Sequence, residues 1–116
     1  MDGGFQDKSI FLYKEFFTPE NICDLLHKYE APYDLDLLVV DTDNKDFWIL
    51  KKLLECGWRP SLLILEYNTR LGPKVSWTVP EYNPLEMWDL TDFYWASLMS
   101  LGKLTRRYGY FLLYAE

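Results

Sequence analysis

A chain of 116 residues with 49% hydrophobic and 26% charged side chains has room for one compact domain, residues 1–116, and its balance excludes disorder and fibrous repeats. Twelve basic against eighteen acidic residues leave a net charge of -6, a surface that repels phosphate backbones and excludes sequence-independent nucleic-acid binding. The longest apolar runs, such as Ser61-Leu62-Leu63-Ile64-Leu65, are far too short to cross a bilayer, so no membrane role is expected.

In chain order, Ser9 to Phe17 mixes β-branched and aromatic residues with charges and predicts a strand. Thr18-Pro19-Glu20-Asn21 predicts a helix start, with Thr18 as cap and Pro19 at the first helical position. Ile22, Leu25, Leu26 and Tyr29 follow at helical spacing until Ala31-Pro32 stops the run. Asp36 to Val40 is short and nearly all apolar, the pattern of a strand buried on both faces. A second helix is expected from about Asp46 to Cys56, burying Phe47, Leu50 and Leu54, with Gly57 closing it. Ser61 to Tyr67 predicts another buried strand. A long Pro-, Asn- and Trp-rich segment follows from Asn68 to Asp89, with a short strand at Val75 to Val79. Thr91 then caps a third expected helix carrying Tyr94, Leu98, Leu101 and Tyr108, and Arg106 and Arg107 sit in its last turn, where cations suit the dipole. Gly109 ends it, and Tyr110 to Tyr114 predicts a final strand.

This alternation of strand and helix describes an α/β fold, a mostly parallel sheet with flanking helices. Ligands of such sheets bind beyond the carboxyl ends of the strands, and two of those ends are polar: Asp41-Thr42-Asp43-Asn44 and Glu66-Tyr67-Asn68. Asp41, Asp43 and Asp46 crowd three acids into six positions, either a site or helix capping, for which one acid would do. A calcium loop is excluded, because Lys45 and Asp46 occupy positions that need an oxygen ligand and a glycine, and Lys52 stands where the closing Glu belongs. Glu66 and Asn68 alternate to one face of their strand and can reach one ligand, or else satisfy loop backbone. His27 is the only histidine; it reads as a solvated cation near a helix end, and no relay for nucleophilic catalysis exists. The tryptophans read as core and interface. Cys23 and Cys56 have no paired spacing, so reduced core thiols are expected. With no signal-peptide character in Met1-Asp2-Gly3-Gly4, the expected location is cytoplasmic.

Four blocks resemble one known family. Leu37-Leu38-Val39-Val40-Asp41-Thr42-Asp43-Asn44-Lys45-Asp46-Phe47-Trp48 resembles the "LLSIDIDGNDYW" signature of FkbM-like methyltransferase domains. Arg59 to Asn68 is similar to that family's "RPRVVVIEYN" strand, Thr18 to Ile22 to its "TPENI" helix start, and Trp88 to Leu98 to its "WDGTDYFGASL" segment. The order of the blocks is that of the family, and together they span residues 18–98. Asn44, Leu90 and Trp95 stand where the family's blocks have glycine.

The resemblance implies a partial Rossmann-like methyltransferase core that uses S-adenosylmethionine. On that template Asp36 to Asp41 is the fourth strand, Ser61 to Tyr67 the fifth and Tyr110 to Tyr114 the sixth. Asp2 falls where an acid binds the cofactor ribose, and Ser9 to Phe17 would be the third strand. Asp41 and Asp43 would stand beside the transferred methyl group, orienting or deprotonating a small-molecule acceptor, with Glu66 and Asn68 completing the acceptor side. The first strand and its glycine-rich loop would precede Met1, and the strand between the fifth and sixth would follow Glu116. The chain alone is therefore not expected to hold the cofactor, and its open strand edges are expected to be filled by rearranged local strands, by self-association or by a partner. A non-catalytic interaction module derived from the same fold is the alternative.

Overall fold

In a computed structural model, residues 5–42, 44–81 and 91–116 are described. They form a mixed α/β structure whose elements are a 3-10 turn at Lys8–Ile10, α1 (Ile22–Lys28), β1 (Leu37–Val40), α2 (Asp46–Glu55), β2 (Leu62–Leu65) and α3 (Leu98–Arg106). β1 and β2 pair in parallel, with Leu37 opposite Leu62 and Val40 opposite Leu65. The pairing is extended before the strands by bonds from Arg59 N to Tyr33 O and from Ser61 N to Leu35 O.

α2 is the organising element because it carries two adjacent apolar stripes. Ile49 and Leu53, four residues apart, pack with Ile22, Cys23, Val40 and Trp58 in one cluster. Leu50 and Leu54 pack with Ala96, Leu101 and Leu104 in the other. Neighbours three and four apart share a helix face, so the single helix joins α1 and the sheet on one side to α3 on the other. Gly57, at φ 106, supplies the left-handed residue that ends it.

The strands alternate rather than burying both faces. Leu38, Leu63 and Leu65 pack inward against the two clusters, while Leu37, Val39, Leu62 and Ile64 remain 46%, 56%, 43% and 50% exposed. The expected double burial fails because, among the described residues, helices cover one side of the sheet only. The strands are also shorter than the expected Asp36 to Val40 and Ser61 to Tyr67.

Four further expectations are corrected. Ser9 to Phe17 is not a strand. The Asp7 carboxylate accepts from Ser9 N (2.9 Å) and Ser9 Oγ (2.7 Å), capping the 3-10 turn, and Phe11 at φ 56 closes it back onto Asp7. α1 starts at Ile22 rather than at Pro19, because Asn21 Oδ1 accepts from Thr18 N (2.7 Å) and folds residues 18–21 into an entry turn. Residues 75–79 contribute one isolated bridge, Thr78 to Ala96. α3 is capped by Ser97, whose hydroxyl accepts from Ser100 N (3.2 Å), while the Thr91 hydroxyl accepts from Phe93 N (3.3 Å), ahead of the helix. Tyr94 accordingly lies on the extended approach to α3, not on it.

Two corrections bear on function. Tyr110 to Tyr114 forms no strand: Phe111, Leu112, Leu113 and Tyr114 are exposed, and no backbone hydrogen bond joins residues 111–116 to β2. The tail is instead tethered by side chains at both ends, Tyr110 Oη donating to Pro60 O and Tyr67 Oη to Glu116 O, each at 2.7 Å. The cysteines are not reduced thiols: Cys23 of α1 and Cys56, the C-cap of α2, form a disulfide, their Cα atoms 6.5 Å apart. Thirty-three residues separate them, so only the packing of α1 on α2 brings them together, and the ground for a cytoplasmic setting that free thiols gave is removed. No helix of the described residues is long and apolar enough to cross a membrane.

Candidate functional site at the strand ends

Parallel strands end together, and the register that sets Val40 against Leu65 brings Asp41 and Glu66 out at the same end of the sheet. Asp41 is exposed and Glu66 half-buried. Asp2 and Asp43 lie outside the described residues.

Between β1 and α2 the loop is held by Asp46, which is buried. Its carboxylate accepts from Thr42 N (3.0 Å) and Thr42 Oγ1 (3.2 Å), and Thr42 Oγ1 accepts in turn from Lys45 N (3.2 Å). Burial pushes the Asp46 carboxyl above the ordinary carboxylate range, the Thr42 bonds pull against it, and the charge of Asp41 adds to the rise. Asp46 is therefore a brace that fixes the loop between the two helical and strand ends.

Asn68 is likewise a clamp. Its backbone N donates to Ala96 O (2.8 Å), its side-chain amide donates to Asp92 O (2.7 Å) and Tyr94 O (2.8 Å), and its Oδ1 accepts from Arg70 N (2.9 Å). These bonds occupy both ends of the amide and tie the approach to α3 against the end of β2. Asp41 and Glu66 lie at this sheet end, on a loop and a strand end that Asp46 and Asn68 hold in place. Among the described residues, no group of three His, Cys, Asp or Glu side chains is placed to hold a metal. His27 Nε2 lies 2.6 Å from Tyr33 Oη and its ring packs on Trp58.

A second feature escaped the sequence reading. A cavity of about 330 Å³ lies between α2, residues 76–78 and α3, lined by Trp48, Trp77 and Leu104 and by three cations, Lys51, Lys103 and Arg107. Its signal was present as spacing, since Trp48 and Lys51 are three apart on α2, and Lys103 on α3 is four before Arg107 at the helix C-cap. What the sequence could not show is that α2 and α3 turn these stripes towards each other.

Compared with protein-family models, with curated proteins and with solved structures, the chain finds no match in any of the three.

Proposed function

We propose that this chain is the carboxyl-side part of an FkbM-like, S-adenosylmethionine-dependent methyltransferase unit, supplying the acceptor side of the site without holding the cofactor by itself. The observation that carries this is the unit β1–α2–β2, two parallel strands joined by a helix, with Asp41 and Glu66 leaving at one end. That end is where such sheets bind ligands. Asp41, exposed on a braced loop, is the group that orients a small-molecule acceptor or takes its proton. Glu66 and the Asn68 clamp shape the same end.

Two further observations support it. Trp95, which stands where the resembling family has glycine, takes φ 56, a left-handed conformation that glycine adopts without strain. The tail of residues 110–116 is tied to the residues flanking β2 by two tyrosine hydroxyls, and no backbone hydrogen bond joins residues 111–116 to that strand. The resemblance implies an intervening strand at that place.

The residues present do not fit the cofactor. A cradle for it needs a glycine-rich turn that lets backbone approach closely, whereas among the described residues the glycines stand singly, at positions 57, 72, 102 and 109. No step is therefore derived through it. Calorimetry of the chain with S-adenosylmethionine and S-adenosylhomocysteine tests the proposal. No measurable heat of binding is expected, and sub-micromolar binding by the chain alone would overturn it in favour of a self-sufficient enzyme.

The alternative, a non-catalytic interaction module, is favoured by the outer face of the sheet, where Leu37, Val39, Leu62 and Ile64 are open to solvent. The occupant this reading commits to is a second copy of the chain, because its own sheet presents the same four exposed apolar residues and the face is therefore self-complementary.

A further inference from the structure

The cavity between α2 and α3 combines features that nothing at the strand ends uses, and none of its lining residues is Asp41, Glu66 or Asn68. It is built, not a gap between loose segments. The segment carrying Trp77 and Thr78 is fixed to α2 by Trp48 Nε1, which donates to Val79 O (2.8 Å). It is fixed to α3 by Ser100 Oγ, which donates to Trp77 O (2.8 Å), and by Trp77 N, which donates to Ser97 Oγ (3.0 Å). A pocket held at both walls loses little entropy on binding.

Its chemistry is divided. The walls are largely apolar and include the Trp48 and Trp77 rings, surfaces on which a planar molecule stacks. Three cations converge on it in a protein whose net charge is -6. Lys51 is engaged with Glu55 (3.0 Å), and its Nζ lies 5.5 Å from the Trp48 ring centroid. Lys103 and Arg107 are exposed and make no side-chain hydrogen bond or ion pair among the described residues. Thr78 also lines the cavity.

We infer that this cavity binds a small planar aromatic carboxylate, its ring between Trp48 and Trp77 and its carboxylate on Lys103 and Arg107. A charged donor pair on a carboxylate outweighs the neutral bonds an amide makes, and the volume suits one or two fused rings.

The probe is naphthalene-2-carboxylate, with naphthalene-2-carboxamide as its neutral match and inorganic phosphate as an anion without a ring, each followed by tryptophan fluorescence. The carboxylate is expected to bind at least about tenfold tighter than the amide, the equivalent of one charged hydrogen bond. The double variant Lys103→Gln/Arg107→Gln, both at exposed positions, is expected to bring carboxylate and amide to equal affinity, with circular dichroism and thermal unfolding unchanged. Equal binding of carboxylate and amide by the wild type would overturn the inference. So would phosphate binding as tightly as the carboxylate, or a carboxylate preference that survives in the folded double variant.

Discussion

Reducing the Cys23–Cys56 bridge gives the sharpest stability test. The bridge closes a loop spanning 33 residues between α1 and the end of α2. In the chain-entropy account, releasing a loop of that length returns roughly 12–13 cal/mol/K to the unfolded chain, about 3.7 kcal/mol at 25 °C. The sulfurs stay within the core cluster after reduction and still pack as small apolar groups, so the wild-type protein under reductant isolates the cross-link better than a substitution does. For a domain of this length the expected fall in Tm is about 15 °C. Urea unfolding with and without reductant is the assay, and thiol titration of the denatured protein before reduction should find no free sulfhydryl. An unchanged urea midpoint, or both thiols titrating without reductant, would refute the bridge and restore the expectation of reduced cysteines.

Two side chains offer further tests. Asp46→Ala removes both bonds to Thr42 from a buried position and should cost about 1–3 kcal/mol in urea unfolding. Asp46→Asn separates charge from bonding: since the folded-state value of Asp46 is raised, its contribution is fully present below about pH 4 and is lost as pH rises through the folded value. The stability of Asp46→Asn relative to wild type should therefore improve between pH 4 and neutrality, and a constant difference across that range would contradict the assignment. Asn68→Ala leaves the Asp92 and Tyr94 carbonyls without their donor and should cost about 2–3 kcal/mol, with faster amide exchange in residues 92–96.

The elements that local pattern controls were legible in the sequence. α2 runs Asp46–Glu55, almost as spacing and Gly57 predict, because its two stripes lie within ten residues. The parallel ends of β1 and β2, and with them the placement of Asp41 and Glu66, follow from two apolar runs joined by a helix. What failed was decided by distant partners. Ser97 starts α3 because Trp77, twenty residues earlier, donates to the same hydroxyl that caps it. Asn68 looks like a ligand from its strand position, yet its amide is occupied by carbonyls 24 and 26 residues away. Apolar runs such as Leu37 to Val40 cannot report whether a second layer covers them, and the Asp7–Ser9 bonds that replace a strand with a turn are side-chain bonds that β-propensity does not register.

The proposal that β1 and β2 belong to a larger sheet rests on the exposed apolar face of the two strands. Sedimentation velocity over a wide concentration range tests it most directly. The account predicts a sedimentation coefficient that rises with concentration and falls back towards the monomer in Val39→Lys/Ile64→Lys, whose lysines stand on the exposed face. A monodisperse monomer at every concentration, unfolding reversibly, would contradict it.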